Sequence, residues 1–258
     1  MIVAPVRTHK ITQKDTDLFK ILDKYLPSLQ EKSVVAVTSK IVAICEGRIV
    51  SVQNTNPAFT KSSGEAKKDE LIKKESQLYL PRQKNKYNVS LTIANNILAA
   101  SAGIDESNAN GFYVLWPQNP QKSAEDVRKY LQKKFNLKNL GVIITDSRTT
   151  PLRWGVTAIS IGFSGFLPLK DYIGTPDLFG RTFMFEKMSI VDNLASAASL
   201  VMGEGAEQTP IAVCCEIPNI EFIDKAFSKK ELEDLQISID DDLYGEFLKN
   251  ADWEKGLK

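Results

Sequence analysis

Apolar runs broken by polar segments alternate along this chain between helical spacing and short, continuous, β-branched stretches. In "DTDLFKILDKYL", Leu18, Ile21, Leu22 and Leu26 share one helical face, with Asp15 or Thr16 as the cap. "SVVAVTSKIVAI" follows as an apolar run that predicts a strand. The polar "SVQNTNPAFTKSSGEAKKDE", with Pro57 and Gly64, predicts a surface loop and the best candidate for mobility. It leads into the helical pattern "DELIKKESQLYL". "VSLTIANNILAAS" predicts a hairpin turning at Asn95 and Asn96, followed by the turn "DESNANG" and a strand "FYVLWP" that Pro117 stops.

The clearest helix is "SAEDVRKYLQKKF": Ser123 caps it, Asp126 completes the S-x-x-D pattern, and Val127, Leu131 and Phe135 form the inward stripe. It feeds the buried strand "LGVIITD", ending at Asp146. "AISIGFSGF" has strand character with glycine interruptions, "MSIVDNLASAASLVMG" predicts a buried helix ending at Gly203, and "TPIAVCCEI" predicts another strand. Beyond Ser228 the chain is charged, with one amphipathic helix at "KKELEDLQ", and reads as a solvated or dimer-covering tail.

Composition narrows the chemistry. The 258 residues are 43% hydrophobic and 25% charged, enough for one large domain or two closely joined lobes. With 33 Lys and Arg against 32 Asp and Glu, no global charge draws the chain to nucleic acid or anionic membrane. No segment approaches a membrane span and the amino terminus lacks a signal-peptide pattern, so a cytoplasmic protein is expected. Cys45, Cys214 and Cys215 match neither a disulfide framework nor a zinc spacing. His9 is the only histidine and has no nucleophile motif beside it, which leaves a histidine-based triad without support. Neither a GxxxxGK[ST] loop nor a GxGxxG turn after a strand is present.

Three loops at the ends of apolar runs stand out as candidate sites. They are "AGIDESN" with Asp105 and Asn108, "ITDSRTTPLRWG" with Asp146, Ser147, Arg148 and Arg153, and "GEGAEQTP" with Glu204, Glu207 and Gln208. Each carboxylate could equally be a turn or helix cap. Together, carboxylates with a hydroxyl and a carboxamide form an oxygen-donor set suited to Mg²⁺ or Mn²⁺ rather than zinc. Lys40, Arg148, Arg153 and Arg181 are the cationic complement for a phosphate or an acidic substrate.

In order, "VTSKIVAICEGR", "AGIDESN", "KSAEDVRKYL", "GVIITDS", "GFSGFLPLKDYIGTPDLFGR" and "LVMGEGAEQTPIAV" resemble the γ-glutamyl ligase family of coenzyme F-420 synthesis. The resemblance runs from about residue 33 to 213 of a single ligase domain spanning 1–258, with the charged tail at 228–258. It implies an α+β fold of mixed and antiparallel sheets packed with helices in two closely joined lobes, and a homodimer. It also implies amide formation between the amino group of L-glutamate and a substrate carboxylate, with GTP or ATP, Mg²⁺ or Mn²⁺, and K⁺ as an open addition. By the same resemblance, Asp105, Asp146 and Ser147 hold metal, and the "GEGAEQ" loop offers Glu204, Glu207 or Gln208 as a further metal-facing member. Nucleotide contacts carry over to Thr8, His9, Lys10 and Ile11, to Ser39 and Lys40, to Asn108, and to Gly203, Glu204, Gly205, Ala206, Glu207, Gln208, Thr209 and Pro210. Asp105 and Asp146 are the catalytic pair, and residue type adds Arg153 and Arg181 for a substrate carboxylate or the transferring phosphate.

Departures from the family pattern bear on the acceptor. The deazaflavin ligases commonly read T-D-[ST]-x-G-R where this chain reads "TDSRTTPLRWG", and carry a lysine before A-E-G-R where it has Ile44 and Cys45. These features, with "KKDELIKKESQLYLP", look more like a subgroup proposed to add glutamate to folate. The readings are therefore a folate-type ligase, a deazaflavin ligase, or a nucleotide- and metal-binding relative without ligation.

Overall fold

The computed structural model describes residues 1–52, 61–233 and 235–258. In chain order the elements are β1 (Ile2–Val6), α1 (Leu18–Tyr25), β2 (Ser33–Thr38), α2 (Ser39–Cys45), β3 (Ile49–Ser51), α3 (Lys61–Glu75), β4 (Leu78–Leu80), β5 (Leu91–Ala94), β6 (Ile97–Ala100), β7 (Phe112–Val114) and α4 (Pro120–Phe135). They continue with β8 (Leu140–Thr149), β9 (Val156–Ser164), β10 (Leu169–Asp171), β11 (Lys187–Ser189), α5 (Ile190–Met202), β12 (Ile211–Cys215), α6 (Lys229–Glu233), α7 (Gly245–Asn250) and β13 (Glu254–Lys255). The class is α+β: a five-stranded mixed sheet of order β1-β12-β2-β8-β9, a four-stranded antiparallel sheet β13-β4-β5-β6, and the pairs β3-β7 and β10-β11. No described helix is long and apolar enough to cross a membrane.

The large sheet is covered on both faces, which is why its strands read as continuous apolar runs rather than alternating ones. Val35, Val37, Val142, Ile144, Ile211 and Val213 pack with α1, α2 and α4, among them Leu22, Val127 and Leu131. Their sequence neighbours Val34, Ala36, Ile143, Ala212 and Cys214 point the other way, onto Leu194, Ala195 and Ala198 of α5.

Several element boundaries differ from expectation. The cap of α1 is Asp17, which accepts from the Phe19 and Lys20 N–H groups, because Asp15 is taken up by the Thr12 N–H and His9. The run "SVVAVTSKIVAI" is not one strand but β2 followed at once by α2; both are buried, and periodicity does not separate them. Helix α4 begins one turn early: Asn119 caps it with Pro120 at the first position, while Ser123 donates instead to Glu46. Helix α3 starts at Lys61 within the expected loop and stops at Glu75, leaving "LYL" as β4. The rest of that loop, 53–60, lies outside the described residues. Strand β8 continues past Asp146 to Thr149 in a hairpin with β9, where Ile161 is the extra residue of a bulge. The hairpin at Asn95 and Asn96 is as expected, both residues having positive φ. The helix expected at "KKELEDLQ" is confined to Lys229–Glu233, and Asp234 lies outside the described residues.

Leu131 is fully buried between α4 and the large sheet. Leu131→Ala is expected to destabilise the protein by about 2–5 kcal/mol, read from urea unfolding midpoints. A change within experimental error would mean that this face of the sheet is not tightly packed.

Candidate active site

Strand pairing brings distant segments to one end of the large sheet. Strands β2 and β8 are parallel, with Thr38 opposite Thr145, so Ser39–Lys40 and Asp146–Ser147 emerge side by side at their carboxyl ends. Strand β12 runs antiparallel to β2 and to β1, with Val6 opposite Ile211, which puts the exit of β1 and the entry of β12 at that same end. The Thr8 N–H donates to the Gln208 carbonyl (2.9 Å) and the Thr38 N–H to the Pro210 carbonyl (3.0 Å), tying these segments together. In open α/β sheets ligands gather beyond the carboxyl ends of parallel strands, and here a cavity of about 400 Å³ opens there.

The cavity is lined by Thr8 to Ile11, Ser39, Lys40, Asp105, Asn108, Asp146, Ser147 and the whole of Gly203–Pro210. The three candidate loops and the amino-terminal segment therefore meet at one place. Arg153 and Arg181 do not line it: both are exposed, on the β8–β9 and β10–β11 connections. Arg148 is half-buried on β8, also outside the lining. Glu106, next to Asp105, stands off the cavity and pairs with Lys68 at 3.2 Å.

Asp105 is fixed through its backbone, exchanging N–H···O bonds with Val114 at 2.9 and 2.8 Å. The Lys40 ammonium lies 2.6 Å from its carboxylate and reaches the Ser107 carbonyl at 3.0 Å. Burial alone raises the Asp105 carboxyl. Lys40 and the N–H and hydroxyl of Ser107 outweigh it, holding this acid below the ordinary aspartate value of 3.8.

Asp146 is in the opposite condition. Burial pushes its carboxyl up from 3.8 to about 6, against hydrogen bonds from Trp116, Ser39 and the Ser147 N–H, and the charge of Asp105 adds to the rise. Trp116 Nε1–H donates to Oδ2 at 2.5 Å and Ser39 Oγ–H to Oδ1 at 3.0 Å. Two carboxyls in one cavity with values pushed apart are an arrangement that acid–base and ligand sites use.

The glycine-rich loop is shaped from within. Glu207 folds back so that its carboxylate accepts from the Gly205 N–H at 2.8 Å, and a side chain at Gly203, where φ is +75°, would strike that carboxylate. Asn108 donates to the Gly205 carbonyl at 2.9 Å and Ser147 to Glu204 at 2.9 Å, joining all three candidate loops. Among the described residues no three His, Cys, Asp or Glu side chains converge as a closed metal cage. The donors nevertheless fit a hard cation, since Mg²⁺ is commonly held by one or two carboxylates completed by water and substrate phosphates, and Asp105 and Asp146 offer oxygens only.

Residues 5–215 match the family described as F420-0:Gamma-glutamyl ligase. The chain belongs to that family. It is 32% identical over 218 residues to the coenzyme F420:L-glutamate ligase of Methanopyrus kandleri, covering 82% of this chain and 85% of that one. Against the enzyme of the same name from Methanosarcina barkeri it is 35% identical over 204 residues (76% and 78%). For Methanocaldococcus jannaschii the figures are 34% over 191 residues (72% and 76%). The F420-0:gamma-glutamyl ligase family is one of amide-forming ligases, so the chain is an enzyme of that class. Of the residues that line its cavity, sequence reasoning passed over Thr38, Thr145 and Ser107, and behind the lining it passed over Trp116, which donates to Asp146. A tryptophan beside a proline looks like ordinary core, and only the pairing of distant strands reveals its partner.

Because the folded-state value of Asp146 lies above the unfolded one, the folded chain retains a proton that the unfolded chain releases between pH 3.8 and about 6. Its contribution to stability is therefore present at low pH and is lost as pH rises through that window. Asp146→Asn stays neutral throughout. Its stability relative to the parent should rise from about pH 4 to about pH 6 and then level off, as measured by urea unfolding across pH. A pH-independent difference would contradict the assignment.

Proposed function

We propose that this ligase joins the amino group of L-glutamate to the terminal carboxylate of a folate through an acyl phosphate. It would use GTP or ATP, with Mg²⁺ or Mn²⁺ held by Asp105 and Asp146. The observation that carries the reading is the convergence of Lys40, Asn108, the Gly203–Pro210 loop and the two unequal carboxyls on one cavity. Loop N–H groups and a lysine are suited to a polyphosphate, and the cation, when bound, neutralises phosphate oxygens as the γ-phosphoryl group moves.

A carboxylate is a poor acyl donor because its oxygen leaves badly. In the proposed sequence an oxygen of the acceptor carboxylate attacks the γ-phosphorus and the nucleoside diphosphate departs. The glutamate nitrogen then attacks the acyl carbon, inorganic phosphate leaves, and the nitrogen loses its proton to solvent. Lys40, paired with Asp105 at 2.6 Å, would turn its ammonium to a phosphate oxygen when nucleotide binds. Ser39 and Trp116 fix the orientation of the Asp146 carboxylate, and Glu207 holds the shape of the loop through the Gly205 N–H.

The folate reading rests on the departures at Ile44–Cys45 and in "DSRTTPLRWG". A second reading, the deazaflavin acceptor, rests on the relatives, which are named coenzyme F420:L-glutamate ligase. We also read the chain as a homodimer. Leu152 and Trp154 at the tip of β8–β9, and Leu178, Phe179 and Phe185 between β10 and β11, are nearly fully exposed, more apolar surface than a lone chain commonly leaves open. Arg153 and Arg181 ride on these projections, outside the lining of this chain's cavity.

Two experiments test this. Purified protein with Mg²⁺ or Mn²⁺, GTP or ATP, L-glutamate and either a folate or the unglutamylated deazaflavin should yield, by mass spectrometry, glutamate increments on the folate. Increments on the deazaflavin alone would select the second reading, and nucleotide binding without product would support neither. Asp146→Asn should keep the fold and lose metal-dependent turnover by at least about 100-fold, the scale for removing a group that acts in the transition state. Separately, light scattering should report a dimer that Leu178→Glu with Phe179→Glu converts to monomer; a parent that is already monomeric would refute the dimer.

A further inference from the structure

The two cavity acids come from different sheets' neighbourhoods, yet one buried side chain links them. Trp116 is 3% exposed and packs with Ala94, Ala99 and Ala102 of the β5–β6 hairpin region. Its indole N–H crosses to Asp146 Oδ2 at the end of β8. Ahead of Asp105, Ser101, Ala102 and Gly103 have φ of 50°, 53° and 71°, a left-handed turn that L-residues with side chains adopt only under constraint. Here the constraint is visible: the Ser101 N–H donates to the Ser90 carbonyl at 2.7 Å, and the Ala102 N–H to the hydroxyl of fully buried Thr92 at 2.9 Å. Gly103 completes the fit, since a Cβ there would lie 1.9 Å from Trp116 Nε1.

We infer that Trp116 is a positioning residue for the ligation reaction, setting the orientation of Asp146 against the Asp105 loop through its indole N–H. The inference rests on the proposed metal-holding role of the two aspartates. A carboxylate has two lone-pair sites on each oxygen. With Ser39 on Oδ1, Trp116 on Oδ2 and the Ser147 N–H as a third donor, the carboxylate plane is fixed and one acceptor site remains for the cavity. The left-handed turn holds the indole from behind and begins the loop that presents Asp105, so the separation of the two acids is set by one rigid contact chain. Removing a donor behind a metal-holding group commonly costs about 10- to 100-fold in metal affinity.

The test uses Trp116→Phe, which keeps an aromatic ring against Gly103 and removes only the N–H and part of the ring. Calorimetric titration of the nucleotide-free protein with Mn²⁺ should show affinity reduced by about 10- to 100-fold. In turnover kcat should fall while KM for L-glutamate holds, a split that general loosening of the fold would not produce. Parent-like Mn²⁺ affinity and kcat in Trp116→Phe, with Asp146→Asn binding no Mn²⁺, would overturn the role of Trp116 alone. Parent-like Mn²⁺ binding by Asp146→Asn would overturn the metal assignment and this inference with it. Should Trp116→Phe fail to fold, the unsubstituted protein decides. Its Trp116 indole N–H resonance, assigned by Trp154→Phe and Trp253→Phe, should shift as Mg²⁺ saturates the site, and an unmoved resonance overturns the inference.

Discussion

Everything at the cavity depends on the parallel pairing of β2 with β8. It is the one parallel contact in the five-stranded sheet, and it sets Ser39–Lys40 beside Asp146–Ser147 where the buried stretches of the two strands end. Burying those strands removes their backbone groups from water, so each N–H and C=O must find a ladder partner, and the register admits little choice. A one-residue slip would turn Val35 and Val37 to the face of α5 and carry Ser39 away from Asp146. The apolar packing on both faces thus acts on the geometry of the acids.

The second constraint is electrostatic. Asp105 and Asp146 share one cavity, and the chain keeps them distinct by giving Asp105 a cation and Asp146 only neutral donors. Burial is the largest influence on both acids; at Asp146 it prevails over the neutral donors, whereas at Asp105 the Lys40 ammonium and Ser107 together outweigh it. Two identical side chains therefore begin with unlike affinities for protons and, by the same physics, for other cations.

Much of this was legible in the residues, for identifiable reasons. Loops such as "AGIDESN" and "GEGAEQTP" break long apolar runs with glycine and carboxylate, and such breaks survive any folding of the chain as exposed termini of elements. The large sheet was legible as strands but not as a sheet, because buried runs in "SVVAVTSKIVAI" have no period to separate β2 from α2. The start of α4 was missed by a turn because an Asn-Pro pair competes with a well-spaced Ser and Asp further on. Trp116 and Thr92 were out of reach in a stronger sense. What each does is defined by a partner far along the chain, and no local pattern carries that information.

The tail offers a different lesson. Residues beyond 215 lie outside the family match, and the charge beyond Ser228 suggested a solvated or dimer-covering tail. Instead β13 lies along β4, the Gly256 N–H donates to the Gln77 carbonyl, and the Leu257 N–H to the Lys73 carbonyl in the last turn of α3. The closing residues of the chain thus supply the donors that a helix end in mid-sequence lacks. An exopeptidase nibbling here would not trim slack chain: Lys258, Leu257 and Gly256 in turn hold the carbonyls of Ser76, Lys73 and Gln77, one in the last turn of α3 and two just past it.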